Sequence, residues 1–274
     1  MIPTPKLRQE GESPLGSDSC SVSLDLRLGD CMELMATFPD GHFDLAIVDP
    51  PYGIGINSSG RLGAYGGKGK IWDDAAPPIE YFVELRRVSR NQIVWGANHF
   101  IERLPINSPC WIVWDKNQPH DVTFAAAELA WTSFKTTCKK LTLHPTQPDR
   151  IHPTQKPVKL YDWLLANYAE KGQRVLDTHL GSGSIAIAAH YAGIHLTACE
   201  IDADYYEAAM TRIERETRQG DFFNSPQNDK ITRAREEAGT SRSAGPHWES
   251  DSAPILRRCG GSRRTHQQAA EWKD

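Results

Sequence analysis

Residues 175–188 read VLDTHLGSGSIAIA. An apolar stretch ending in Asp177 runs into a turn that holds Gly181 and Gly183, and a run of isoleucine and alanine follows. A strand, a glycine turn and a helix in that order bring backbone N–H groups close to a ligand at the carboxyl edge of an open α/β sheet. The next apolar run, IHLTACE, ends in Glu200, 19 residues after Gly181, where a carboxylate reaches ribose hydroxyls.

Elements on either side extend this unit. Lys156-Pro157 opens a helical stretch, PVKLYDWLLANYAE, with proline at its first position, and ADYYEAAMTRIERE reads as the helix after Glu200. Nearer the start, residues 22–48 read as a strand (VSLDLRL), a helix (CMELMATF), a turn (PDG) and a continuous apolar strand (FDLAIV). Such a run fits a parallel strand covered on both faces. A helix over 78–90, a strand QIVW, the segment GANHF and a strand CWIVW continue the alternation. Within 121–151, FAAAELAW reads equally as strand or helix, and FKTTCKKLTL resembles an exposed strand. The pattern predicts an α/β fold with one main domain over 22–216, preceded by a flexible leader (1–21) and followed by a mostly disordered tail (217–274). The glycine-rich stretch 54–77 reads as a long loop and 118–151 as a segment of its own.

Composition narrows the class. Hydrophobic residues make up 39% and charged residues 24% of the 274, and no apolar run approaches the roughly 20 residues of a membrane span. The N-terminus lacks the basic-then-apolar order of a secretory signal, so a cytoplasmic protein is expected. Six cysteines stand singly without zinc spacing, which predicts free thiols and no metal site. The net charge of −4 does not advertise a nucleic-acid binder, although a polyanion is gripped by a local patch whatever the global sum.

The ligand at the glycine turn follows from its acids. Gly181, Gly183 and Ala186 satisfy the permissive form of a dinucleotide fingerprint, but Asp177 at the strand end repels phosphate and favours a cation. S-adenosylmethionine carries a sulfonium and an ammonium on a nucleoside, and suits Asp177 on one side with Glu200 on the ribose. Residues 43–53, FDLAIVDPPYG, supply the second half of a reaction. The prolines fix the backbone and expose carbonyls, so the Asp49 carboxylate and the Pro50 carbonyl form an acceptor-rich corner. Acceptors on both hydrogens of an exocyclic amine leave its lone pair aimed at a methyl group. Tyr52 offers a face on which a flipped base stacks.

With both motifs present, the sequence resembles the amino-methylating DNA methyltransferases, which modify adenine at N6 or cytosine at N4. Because Asp49-Pro50-Pro51-Tyr52 precedes the glycine motif, it is most similar to the β group of that family. The resemblance covers roughly residues 22–216. It implies a doubly wound, Rossmann-like mixed sheet of seven strands, of the S-adenosylmethionine-dependent methyltransferase type. It also implies catalysis by Asp49, Pro50, Pro51 and Tyr52, and cofactor contacts from Asp30, Cys31, Pro153, Thr154, Gln155, Lys156, Asp177, His179, Leu180, Gly181, Ser182, Gly183, Glu200 and Ile201. The segment of Pro153 to Lys156 is expected to hold the methionine part and Asp30 to approach the adenine. Asp30 also fits a plain helix cap. Thr178-His179 departs from the family's usual Pro-Phe after the aspartate, so His179 reads either as a cofactor contact or as a structural histidine. Double-stranded DNA is the implied partner and a homodimer the family-level assembly. Arg61, Lys68, Lys70, Lys135, Lys139, Lys140 and Arg150 are candidates for phosphate contacts. Asp49 inclines the resemblance towards adenine N6, with cytosine N4 as the alternative.

Rival readings leave residues unused. Pro109-Cys110 fits a cytosine 5-methyltransferase, but it opens an apolar strand, stands on the wrong side of the glycine motif and gives DPPY no task. The release-factor glutamine methyltransferases carry Asn at the place of Asp49, and their glycines come first. A dehydrogenase tolerates Asp177 badly. GGKGKI lacks the hydroxyl residue of a phosphate loop. A silent DNA-binding regulator on the same fold would have no use for Asp49, Tyr52 and Glu200.

Overall fold

In a strand covered on both faces, alternate side chains enter opposite layers. Leu45 and Ile47 of FDLAIV pack into one buried cluster, and Ala46 and Val48 into another. The computed structural model describes residues 22–55, 73–104, 107–119, 125–145 and 150–223. Its elements, in chain order, are β1 (Leu24–Leu28), α1 (Cys31–Ala36), β2 (Phe43–Val48), α2 (Ile79–Val88), β3 (Ser89–Trp95), β4 (Trp111–Asp115), β5 (Ala127–Thr132), β6 (Lys139–Thr142), α3 (Val158–Tyr168), β7 (Arg174–Asp177), α4 (Ser184–Ala192), β8 (His195–Glu200) and α5 (Ala203–Phe223). Two single-turn 3-10 helices, Ala97–His99 and Ile101–Arg103, follow β3.

The strands form one sheet of eight in the order β1-β8-β7-β2-β3-β5-β4-β6. The first five in that order run parallel, β5 runs antiparallel to both β3 and β4, and β6 is parallel to β4. Helices α3 and α4 cover one face, joined by Ala209 and Ile213 of α5, and the buried side chains of α1 and α2 cover the other. The sheet is therefore doubly wound and mixed, in the arrangement of S-adenosylmethionine-dependent methyltransferases.

Three details differ from the sequence expectation, and one open reading is decided. The sheet has eight strands rather than seven, because Lys139–Thr142 pairs along β4 and adds an edge. FAAAELAW contains a strand, since β5 is claimed by hydrogen-bonding neighbours on both sides. Pro157 caps α3 instead of standing at its first position; its φ of −63° and ψ of 142° are extended, and helical geometry begins at Val158. Helix α5 continues past residue 216 to Phe223. Residues 1–21 and 224–274, assigned to a leader and a tail, lie outside the described residues.

Candidate active site

Sheet order fixes the site. Because β1, β8, β7 and β2 are neighbours and parallel, their carboxyl ends bring Asp30, Glu200, the glycine turn and Asp49 to one edge in that sequence. A cavity of about 300 Å³ opens there. Of the residues singled out in the sequence, Asp30, Cys31, Asp49, Pro51, Thr154, Gln155, His179, Leu180, Gly181, Ser182, Glu200 and Ile201 line it. Gly29, His152, Tyr161, Thr178, Ser184, Asp202 and Tyr205 complete the wall.

The donors and acceptors of this wall select a cation-bearing nucleoside. Glu200 accepts the Gly181 N–H at 2.9 Å through Oε2 and the Asp202 N–H at 3.0 Å through Oε1. The turn N–H that a pyrophosphate would need is thus already engaged. Among the described residues, four acids and no lysine or arginine line the space. Asp30 caps α1, accepting from Met32 N at 2.7 Å and Glu33 N at 3.1 Å, and lines the cavity as well. Burial pushes the Cys31 thiol up to about 11, so it faces the cavity as a neutral group.

The predicted cofactor residues that fall elsewhere have definite tasks. Asp177 lies behind the wall, 2% exposed, with Oδ1 accepting the His179 N–H at 3.0 Å. Burial, with Asp49 and Glu200 nearby, pushes its carboxyl up to about 8. Gly183 takes a φ of +74° ahead of α4, and a Cβ there would meet Ile213 Cδ1 at 2.6 Å, so it is needed for the close approach of α5. Pro153 is buried and off the wall. His179 both lines the cavity and is structurally held: its Nδ1 is 2.9 Å from Thr178 Oγ1 and its ring meets Tyr81 edge-on at 5.7 Å. Burial lowers it to about 4, which leaves the imidazole neutral.

Lys156 is the largest displacement from expectation. Its ammonium is not on the cavity but beside the DPPY corner, 2.6 Å from Asp49 Oδ2, 3.0 Å from Glu128 Oε2 and 3.3 Å from Tyr52 OH. The other Asp49 oxygen accepts the Tyr52 hydroxyl at 2.8 Å. Burial raises the Asp49 carboxyl, opposed by Lys156. Asp73 secures the turn from outside, since its Oδ1 accepts Tyr52 N at 2.8 Å and Gly53 N at 3.1 Å. Pro50 is buried at the root of the turn. The Tyr52 ring is less open than expected, because His99 stacks on it at 5.1 Å and 16°.

Gly96 sets that ring's position. It has a φ of +67°, and a Cβ there would overlap the Tyr52 ring. Gly96→Ala is expected to destabilise the protein by about 2–5 kcal/mol, from left-handed strain plus overpacking. Chemical denaturation checks this, and a change under 1 kcal/mol would show that Tyr52 yields freely.

Basic residues proposed for DNA divide. Arg61, Lys68 and Lys70 lie outside the described residues. Lys139 donates to Asn167 Oδ1 at 3.1 Å and lies over the Tyr168 ring, at the end of α3 remote from Lys156 by about 16 Å. Lys140 pairs with Asp115 at 2.7 Å. Both are therefore engaged by the protein's own groups, Lys139 at the far end of α3 and Lys140 at Asp115, the carboxyl end of β4. Lys135 is exposed and Arg150 partly so. Cys110 is fully buried at the opposite end of β4 from Asp115, 3.7 Å from Tyr168 OH, and takes no part in the site.

The fold is that of S-adenosylmethionine-dependent methyltransferases, and the comparisons with known proteins point the same way. Residues 111–211 match the family model described as DNA methylase, N6_N4_Mtase. The inferred methylase YubD of Escherichia coli K12 is 25% identical over 218 residues, 70% of this chain and 92% of YubD. The type II methyltransferase M.HpaI of Haemophilus parainfluenzae is 32% identical over 65 residues, 24% of this chain and 21% of M.HpaI. Among solved structures, the cytosine-N4-specific PvuII DNA methyltransferase shares the fold with a TM-score of 0.51 at 14% identity, covering 72% of this chain and 91% of that one. These matches make the chain similar to DNA methyltransferases of the N6-adenine/N4-cytosine group over its described residues. S-adenosylmethionine is the methyl donor that goes with this fold, and the acid-lined cavity fits it.

Proposed function

We propose that the chain methylates the N6 amine of adenine in double-stranded DNA, acting on a base flipped out of the helix. The observation that carries this reading is the Asp49 carboxylate, which lines the cofactor cavity while Tyr52 OH and Lys156 hold its two oxygens. A carboxylate offers about four acceptor directions, so two remain for an amine hydrogen. The Pro50 carbonyl, with no competing N–H on its own residue, is the second acceptor. An amine so held presents its lone pair to the cavity. Bound S-adenosylmethionine supplies a methyl group on a positively charged sulfur. The new N–C bond forms as the C–S bond breaks, its electron pair staying on sulfur, and the surplus amine proton passes to Asp49. No covalent link to the protein is required. The aspartate of DPPY supports adenine over cytosine.

Expression in a host free of DNA methylation, followed by sequencing that detects modified bases, tests the reading. N6-methyladenine at a defined sequence is the expected result. N4-methylcytosine would overturn the adenine assignment alone, and unmodified DNA from a folded, cofactor-binding chain would overturn the enzyme.

A further inference from the structure

Glu128, on β5, belongs to none of the motifs. Its carboxylate sits between two shielded ammonium groups, with Lys116 Nζ 2.6 Å from Oε1 and Lys156 Nζ 3.0 Å from Oε2. Lys156 is only 4% exposed and reaches on to Asp49. The result is an alternating chain, Lys116-Glu128-Lys156-Asp49, whose formal charges cancel. The Trp95 ring lies 5.4 Å from the Lys156 ammonium and the Trp114 ring 5.2 Å from that of Lys116. A buried chain of ion pairs is seldom better for stability than apolar packing of the same volume. Its place directly beneath the acceptor corner calls for a role in chemistry.

We propose that Glu128 is a positioning residue for methyl transfer, holding the Lys156 ammonium between two carboxylates so that Asp49 stays ionised yet remains a usable proton acceptor. The inference rests on the reading of Asp49 as the amine acceptor. Without Glu128, Lys156 has Asp49 as its sole carboxylate partner, and a fully neutralised Asp49 takes up a proton poorly. Without Lys156, Glu128 keeps Lys116 while Asp49 loses its ammonium and faces a second carboxylate, so Asp49 is the group that protonates. The surrounding groups agree with this balance. Burial works to raise Glu128, but Lys156 and Lys116 hold it at about 2. Burial works to lower Lys156, and the two carboxylates overcome it and raise it. Burial raises Asp49, Lys156 lowers it and Glu128 raises it again. The Tyr52 and Tyr161 hydroxyls facing the group are pushed far up by burial and stay neutral. Asp177 behind it is largely protonated at neutral pH.

The test is the pH dependence of kcat for methyl transfer to DNA in the full chain and in Glu128→Gln, Lys156→Met and the double variant, with S-adenosylmethionine affinity measured by calorimetry. Glu128→Gln is expected to lower kcat about 10- to 100-fold and to move the acid limb down by about 1 pH unit. Lys156→Met is expected to move that limb up, and the double variant to return it towards the wild-type position. Cofactor affinity should stay within about threefold throughout, because neither Glu128 nor Lys156 lines the cavity. Should Glu128→Gln fail to fold, Lys116→Met reaches the same carboxylate from its far side and is expected to raise the limb. A merely structural role predicts losses without these opposed shifts. An active wild type with an unshifted Glu128→Gln limb, an unshifted Lys116→Met limb, or a double variant no nearer to wild type than Lys156→Met overturns the inference alone. A cofactor-binding wild type that methylates no DNA overturns the parent reading.

Discussion

Asp49→Ala is expected to slow methyl transfer by about a hundred- to a thousand-fold, the usual penalty for losing a group aimed at developing charge. Binding of S-adenosylmethionine should change little, because Asp49 contributes one wall residue among many, and Glu200, Gly181 and His179 remain. The fold should persist as well, since Lys156 keeps its Glu128 partner at 3.0 Å. The change therefore separates chemistry from cofactor capture. Single-turnover transfer from a labelled cofactor, beside calorimetric titration of the same cofactor, reads both quantities. Retention of a third or more of the wild-type rate would move the acceptor role away from Asp49.

Asp177→Asn is expected to make the protein without cofactor more stable at alkaline pH. In the folded state the Asp177 carboxyl is raised to about 8, whereas an unfolded aspartate titrates at about 3.9. Between those values the folded chain binds the extra proton, so stability falls as pH rises through the window and levels off above about 8. Integrated over the whole window, the effect is on the order of 5–6 kcal/mol. Asparagine keeps an oxygen for the His179 N–H and carries no charge. Urea unfolding at pH 5.5, 7 and 8.5 should show a declining wild type and a flatter variant, the gap widest at pH 8.5. Parallel lines would mean that Asp177 is ionised in the fold. Because a cationic ligand favours the ionised carboxylate, stabilisation of the wild type by S-adenosylmethionine should grow over the same range.

How far the sequence leads can be judged residue by residue. FDLAIV and VLDTHLGSG are local patterns, and period and turn chemistry suffice to place them and the acids at their ends. Glu128 and Lys156 are legible only after folding, because β5 and the cap of α3 meet at the corner through sheet order and not through spacing. Lysine in HPTQKP reads as a cofactor ligand from its neighbours Thr154 and Gln155, which do line the cavity, but at the cap of α3 its side chain goes to Asp49 instead. Asp73 was hidden for the same reason: it stands 21 residues from Tyr52 with no motif around it. Tyr161 and Tyr205 look like ordinary apolar positions of amphipathic helices, and only the wall they form marks them. His179 and Asp30 each line the cavity while also being held by the protein's own groups.

The strand order has a further consequence for how the protein is made. β1 and β2 are consecutive in the chain, yet β8 and β7 lie between them in the sheet. A ribosome that has delivered β1 to β6 has produced strands whose central pairing partners do not yet exist. β1 has nothing to pair with until β8 emerges, and β2 keeps an open edge until β7 does. The nascent chain must therefore wait for β8, which closes the sheet, and for Ile201, Asp202 and Tyr205 directly after it, which complete the cofactor cavity. Methyl-donor binding and completion of the fold are in this way the same late step of synthesis, and an interrupted translation product can neither hold the cofactor nor hide its edges.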